Sequence, residues 1–434
     1  MSEKENLKLE YLPIGDIKPY KNNPRKHKEK QVRQIINSIS EFNFNNPIIL
    51  DENNEVLAGH GRLLAAKKLR IEKVPTIRLT HLTAEQKRLY RIADNKLTEN
   101  GEWDKDLLKL EFKELEDIEI SLDITGFEMP QIEGLVVGKE ELDEKLNNIP
   151  EVEDDEIVSK LGDIWQLGSH RIICGDSLKR ATFEALMEDK KADIIFADSP
   201  YNLKINGQVC GKGAVKHEEF AMASGEMSSE EFQNFLRTTF ALQAEFSKDG
   251  SIHFQCMDWR NVKEIMLAAE DVYTELKNIC VWNKDNGGMG SLYRSKHELV
   301  FVFKNGTASH INNVELGKNG RYRTNVWDYA GLNSFSGDRD LLKIHPTCKP
   351  VEMIRDAIYD VSSRGNIVLD AFLGSGSTLV AAEKTKRVCY GIELEPKYID
   401  TTIKRWEALT RKDAIHIASN QTYKTKLKAI KEDK

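Results

Sequence analysis

Asp198-Ser199-Pro200-Tyr201 follows the apolar run Asp193 to Ala197, which has the length of a buried strand. Open α/β sheets bind ligands beyond the carboxyl ends of their strands, so this tetrapeptide stands where a ligand would be met. Pro200 lacks an N–H and has a fixed φ, which lets the Ser199 and Pro200 carbonyls be held facing that ligand. Asp198 adds a carboxylate acceptor and Tyr201 a planar ring. Strands also end in Asp and Pro for structural reasons alone, but that reading gives the aromatic no purpose.

A second cluster runs from a strand, Ile367 to Leu369, through a glycine-bearing turn into a helix that starts near Leu379. Its residues are Asp370, Phe372, Gly374, Ser375, Gly376, Ser377 and Thr378. Glycines allow close backbone approach, and the N–H groups of the helix that follows suit a polar ligand. A G-x-G turn by itself is equally well a mere tight turn. Glu393 changes the balance. It stands 17 residues after Gly376 at the end of the next strand, where an acid can accept both hydroxyls of a ribose. Together the two features favour a bound nucleoside.

The elements that must position these groups follow from the apolar pattern. Strand-like runs at Asp193 to Ala197, Ser251 to Gln255, Asn278 to Trp282, Leu299 to Phe303, Ile367 to Leu369 and Val388 to Ile392 alternate with helical stretches. That alternation predicts an α/β fold with a mainly parallel, doubly wound, Rossmann-like sheet. Ahead of it, residues 11 to 80 mix a helix around Gln31 to Phe42, runs at Pro47 to Leu50 and Glu55 to Ala58, a helix from Leu63 to Leu69 and a strand from Val74 to Leu79, a small α+β unit. Four regions are expected: 1–82, the α+β domain; 83–160, an acidic helical connector and linker; 161–415, the sheet domain; and 416–434, a basic C-terminal tail.

The 434 residues suffice for more than one core, and their net charge of −7 is uneven. Residues 1–80 hold 15 Lys/Arg against 10 Asp/Glu, whereas residues 99–160 hold 6 against 21. The acid is thus concentrated in the connector, and local basic surface remains for a nucleic acid. Six cysteines without a C-x-x-C pair indicate neither a disulfide framework nor a zinc site, and no metal is expected. A charged N-terminus and the lack of a long apolar stretch predict a cytoplasmic protein with no membrane partner.

These residues closely resemble the DNA amino-methyltransferases of the permuted β class, which act on adenine N6 or cytosine N4. Their catalytic motif is an acid or Ser/Asn followed by Pro-Pro-Tyr or a near variant, and Asp198 to Tyr201 stands in its place. The D-x-F-x-G-S-G-[ST] cofactor turn matches from Asp370 to Ser377, after the catalytic motif as in the permuted order. The resemblance covers roughly residues 161 to 410 and implies S-adenosyl-L-methionine as cofactor, double-stranded DNA as partner, a restriction–modification setting and a homodimer. It implies further that Asp176, ending Ile172 to Ser177, reaches the cofactor adenine. His345-Pro346-Thr347-Cys348-Lys349-Pro350 is similar to a segment beside the methionine end, implicating Thr347 and Lys349. Trp282-Asn283-Lys284 through Gly287, Gly288, Gly290, Tyr293, Arg294 and Glu298 resembles a segment near the target base.

The implied chemistry needs alignment and acceptors. An exocyclic amine is a poor nucleophile because its lone pair is delocalised into the ring. Acceptors at Asp198 and at the Ser199 or Pro200 carbonyl would take its two hydrogens, free the lone pair, and meet the positive charge that develops on nitrogen. The base must be flipped from the stack, and Tyr201 can then stack on its face. Asp198 favours adenine N6, because Ser is more usual there in cytosine-N4 enzymes of the family; Ser199 departs from the commoner Pro, and cytosine N4 stays the alternative. A different class, a nucleotide-gated DNA-binding protein without methyl transfer, is opposed by the intact tetrapeptide.

Two further segments each admit two readings. Asn202 to Ser229, with Gly207, Gly211, Gly213 and Gly225, is a lid over a flipped base or a passive insertion. Lys304 to Lys343, carrying Lys318, Arg321, Tyr322, Arg323, Trp327, Tyr329 and Arg339, is a target-recognition region or ordinary solvated surface. In the first region, Val56 to Ala66 reads strand, glycine turn, helix, with Gly59, Gly61 and Arg62 placed to meet a phosphate. Residues 11 to 80 resemble the ParB/sulfiredoxin-like nucleotide-binding domain, with Asn23-Pro24-Arg25 near its first box. The family's glycine, acid and paired arginines are here Gly59-His60-Gly61-Arg62, which argues for an accessory DNA or nucleotide module rather than a nucleotide hydrolase, with His60 as a loop histidine.

Overall fold

Apolar periodicity and helix-capping side chains decide where the elements begin. The structure, a computed structural model, describes residues 7–117, 122–136, 149–202, 225–285, 287, 292–317, 322–331 and 348–432. The chain divides into two units, Met1–Gly138 and Lys139–Lys434.

In the first unit β1 (Leu9–Pro13), β2 (Ile48–Leu50), β3 (Val56–Ala58) and β4 (Lys73–Arg78) form a sheet in the order β1-β4-β2-β3. Helices α1 (Glu29–Phe42) and α2 (His60–Lys68) flank it, and Ile17, Ile48, Leu50, Val56, Leu63, Ala66 and Val74 make its core. Asn43, at φ 64° and ψ 176°, leaves the helical region and ends α1. Thr83 starts α3 (Ala84–Glu99) with a capping box shared with Gln86. The buried Arg91 of α3 donates to the Val56 carbonyl at 3.2 Å and to Glu55 at 2.6 Å. This helix is therefore bound to the sheet, past the boundary expected at residue 82. Helices α4 (Lys105–Asp117) and α5 (Met129–Val136) enclose a separate small core of Phe112, Leu122 and Ile132.

In the second unit the strands are β5 (Ile164–Leu167), β6 (His170–Cys174), β7 (Ala192–Ala197), β8 (Ser247–Met257), β9 (Glu275–Asn283), β10 (His297–Lys304), β11 (Val326–Asp328), β12 (Ile367–Asp370), β13 (Val388–Glu393), β14 (Ile415–His416) and β15 (Gln421–Thr422). They form one sheet in the order β11-β9-β10-β8-β7-β12-β13-β6-β5-β14-β15. From β8 to β6 the pairs are parallel, while β10 runs antiparallel between β8 and β9. Alternate side chains feed opposite faces: Ile194, Phe196 and Val368 enter one core, Ile195, Ala197 and Leu369 the other. Helices α9 (Val351–Val361), α10 (Ser377–Lys384) and α11 (Pro396–Thr410) cover the first face. Opposite them lie α6 (Arg180–Met187), α7 (Ser229–Glu245) and α8 (Val262–Glu270). Ser228 caps α7 with Glu231 in a second capping box.

The C-terminal residues are part of this fold. Residues 416–432, expected as a tail, contribute the edge strands and α12 (Tyr423–Glu432), whose Tyr423 ring packs on Trp165 at 5.7 Å. One buried aromatic is enough to tie a basic segment down, and charge counting does not register it.

Candidate active site

The strand order reverses direction of growth at β7 and β12. From β12 the chain passes through α10 to β13 on one side, and from β7 through α7 to β8 on the other. At such a switch point the helices diverge and leave a crevice at the carboxyl ends of the strands. Leu369 pairs with Ile195, so Asp198 and Phe372 emerge abreast at that edge.

Asp198 is engaged through both oxygens. The Tyr201 hydroxyl lies 2.7 Å from Oδ1, and Lys349 Nζ donates to Oδ2 at 2.6 Å. Lys349, 4% exposed, also pairs with Glu298 Oε2 at 3.1 Å, and Lys284 donates to Glu298 Oε1. The Tyr201 hydroxyl is 3.1 Å from that same Glu298 Oε2. Burial pushes the Glu298 carboxyl up, but the Lys349 and Lys284 charges outweigh it and hold the group down at about 2. Burial and the neighbouring Asp198 and Glu298 charges raise the Tyr201 phenol well above its ordinary range, so it stays protonated. The Lys349 ammonium sits 5.3 Å from the Tyr201 ring centre and 6.0 Å from that of Trp282. Asn261 donates to the Tyr201 carbonyl at 2.5 Å and fixes the strand exit. Ser199 is buried at the start of this turn.

Across the crevice lies the glycine turn. Gly376, at φ 83°, begins α10, and a Cβ there would come 2.7 Å from Thr402 Cγ2. Asp370 accepts from the Phe372 N–H at 2.9 Å and from the Thr378 hydroxyl at 2.6 Å. Burial, reinforced by the Asp198 and Glu393 charges and opposed by those two hydrogen bonds, pushes its carboxyl up to about 7. Glu393 accepts from the N–H groups of Gly374 and Glu395, both at 2.8 Å. Arg405, buried under the turn, donates to the Ser375 carbonyl at 3.0 Å and lies 3.3 Å from the Ser377 hydroxyl. Asp176 follows β6, where the Gly175 N–H donates to the Glu393 carbonyl at 2.8 Å, and its Oδ1 accepts from Leu178. Carboxylates therefore end three neighbouring strands, β6, β13 and β12.

The expected residues thus fall into two clusters facing one crevice. Lys349, expected at the methionine end of the cofactor, bonds Asp198 and Glu298; its neighbour Cys348 touches the glycine turn, with Sγ 2.9 Å from Ser375 Oγ. Thr347, the segment 203–224 within the expected lid, Gly288, Gly290, Lys318, Arg321 and Arg339 lie outside the described residues. Arg323 and Tyr329, expected to touch DNA, are committed inward: Arg323 donates to Asp360 at 3.0 Å and to Tyr329 at 2.8 Å, and Tyr329 donates to Asp356 at 2.5 Å. Trp327 is buried, whereas Tyr322 is exposed. Basic and aromatic composition cannot separate a surface from a buried bracket. Arg405 and Asn261 went unanticipated, because neither sits in a motif; each acts on backbone of the site from another element.

In the first unit, Gly59 at φ 98° opens α2, and Arg62 donates to the Asn46 carbonyl at 3.1 Å. Gly61 lies against α1, where a Cβ would come 2.9 Å from Ile35 Cδ1, so packing accounts for it. His60 Nε2 accepts the Tyr20 N–H at 3.3 Å, and burial, then His27 and Arg91, push its pKa down to about 4. It stands as a neutral acceptor at the start of α2.

Residues 192–404 match a DNA methylase family, 106–161 a ParB-methyltransferase HTH domain and 1–96 the ParB N-terminal domain. The chain is similar to the ParB-like nuclease domain-containing protein YnaK of Escherichia coli (strain K12), 47% identical over 20% of this chain and 98% of that protein. It is also similar to Type II methyltransferase M2.DpnII of Streptococcus pneumoniae, 28% identical over 52% of this chain and 86% of that protein. The M1.HpyAVI–SAM complex, at 20% identity, covers 54% of this chain and 98% of its own with a TM-score of 0.38. Among the described residues no group could hold a metal ion, and no helix is long and apolar enough to cross a membrane.

Proposed function

We propose that this chain, which belongs to the N6/N4 DNA methylases and carries a ParB N-terminal domain, transfers a methyl group from S-adenosyl-L-methionine to N6 of an adenine flipped out of duplex DNA. One observation carries the reading: Asp198 stands at the end of β7, across the switch point from a glycine turn bordered by Asp370, Glu393 and Asp176. That donor set suits the cofactor. Glu393 would hold the ribose hydroxyls, Asp176 the adenine, and the Gly374–Thr378 turn the remaining polar atoms. When bound, the cofactor supplies a methyl group on a positively charged sulfur.

The protein's part is acceptance and alignment. Asp198 and the carbonyl of Ser199 or Pro200 accept the two amine hydrogens, which turns the nitrogen towards tetrahedral geometry and frees its lone pair. Tyr201 packs on the flipped base and fixes its plane. Lys349 keeps Asp198 in place through Oδ2, so that its carboxylate meets the developing positive nitrogen. Asp198 rather than Ser favours adenine. The N-terminal unit acts as an accessory DNA or nucleotide module, with Gly59 and Arg62 nearest any phosphate, and the enzyme works as a homodimer.

Incubation of unmethylated DNA with labelled S-adenosyl-L-methionine, followed by nucleoside analysis, tests the reading. Labelled N6-methyladenine is expected. Label in N4-methylcytosine moves the assignment to the alternative base, and no label in DNA overturns both.

A further inference from the structure

Asp198 must accept a hydrogen from the target amine, yet each of its oxygens already accepts one hydrogen bond, so a donor already on the oxygen that meets the amine competes for its charge. Lys349, on Oδ2, has nowhere to go: it is buried, pinned between two carboxylates, and bordered by the Tyr201 and Trp282 rings. The partner on Oδ1 is different. The Tyr201 oxygen lies within hydrogen-bond distance of two acceptors, Asp198 Oδ1 at 2.7 Å and Glu298 Oε2 at 3.1 Å, and has one hydrogen to give. Turning the O–H bond about Cζ–Oη moves that hydrogen from one carboxylate to the other with no heavy-atom displacement.

We propose that Glu298 is a positioning residue that releases Asp198: as the target base enters, Glu298 Oε2 takes over the hydrogen bond of the Tyr201 hydroxyl, and Asp198 Oδ1 becomes the acceptor for the amine. The phenol keeps its proton throughout. Glu298 suits this task because Lys284 occupies its other oxygen and, with Lys349, keeps it anionic. The exchange needs a second carboxylate within reach of the Tyr201 hydroxyl, and Glu298 supplies it. The inference rests on the methyltransferase reading above.

A double-mutant cycle on kcat and KM, with labelled S-adenosyl-L-methionine and DNA, tests it. Glu298→Gln removes the charge and makes the atom facing Tyr201 either an N–H donor or a weaker, neutral acceptor, so the hydroxyl stays on Asp198. The expected result is a fall in kcat of about tenfold with the KM for DNA changed less than about twofold. In a Tyr201→Phe background there is no hydroxyl to lock, and the same substitution then costs less than about twofold. Should Glu298→Gln fail to fold by thermal melting, Glu298→Asp, which keeps the charge and withdraws the carboxylate, must show the same loss and the same rescue. Equal losses in both backgrounds, or a raised KM with unchanged kcat, overturn the proposal while leaving the methyltransferase reading intact. A native protein that labels no base removes that reading and this proposal together.

Discussion

The Lys349 ammonium lies 2.6 Å from Asp198 Oδ2 and 3.1 Å from Glu298 Oε2, so one buried cation joins two half-buried carboxylates drawn from β10 and the turn after β7. Replacing it with Met leaves those anions facing each other. Breaking a buried pair on one side costs about 3–5 kcal/mol. Lys349→Met should therefore lower the melting temperature by several degrees and reduce methyl transfer more than about a hundredfold. A Lys349→Met protein that melts like the native one would show that this cluster is less tightly coupled than its geometry implies.

On the proposed mechanism Asp198 serves the reaction rather than the fold. Asp198→Ala removes the acceptor for the amine but keeps the Lys349–Glu298 pair, so stability should change little while kcat falls by about 10²–10³. Cofactor affinity, measured by equilibrium dialysis, should stay within about twofold. Retained turnover would reopen the alternative in which the sheet only binds cofactor.

Gly376 sits at φ 83° with Thr402 Cγ2 2.7 Å from where a Cβ would stand. Gly376→Ala meets both the left-handed penalty, about 1–2 kcal/mol, and a clash. The turn should open, raising the KM for cofactor and lowering the melting temperature. Adding Thr402→Ala relieves the clash but not the strain, and should restore part of the stability only. Full restoration would mean that backbone conformation is immaterial here.

The two strand ends of the candidate site are legible in the sequence because each is followed by residues with few alternative uses: Pro200 beside Asp198, and Gly374 and Gly376 beside Asp370. Strand periodicity likewise located β7, β12 and β13 closely, since a buried parallel strand is apolar throughout. What composition could not convey was partnership. Lys349 was placed by its motif beside the cofactor, but only the packing of α9 against β7 turns it to Asp198. Arg323 and Tyr329 read as DNA contacts until Asp356 and Asp360, one and two turns along α9, are seen to hold them. Long-range pairing of charged residues leaves no local pattern in the chain.

His253 gives the second unit a pH-dependent stability of known sign. Its Nε2 lies 2.9 Å from Ser247 Oγ and 3.0 Å from Ser251 Oγ, and its Nδ1 lies 3.1 Å from the Tyr273 hydroxyl, all buried. Burial pushes its pKa down from 6.5 to about 3. Folded protein thus binds fewer protons than unfolded protein between those values, so the contribution is complete above 6.5 and is lost as pH falls towards 3. One such group has a limiting slope of about 1.4 kcal/mol per pH unit. Glu298, held at about 2 against an ordinary 4.5, loses its contribution only below 4.5, so it adds little to a decline observed above about pH 5. Urea unfolding of the native protein and of His253→Gln, followed from about pH 7 to about pH 5, should show a lower stability for the variant at the upper end and a flatter decline below it. Parallel declines would mean that His253 takes up its proton without opening the fold, and that acid sensitivity arises elsewhere.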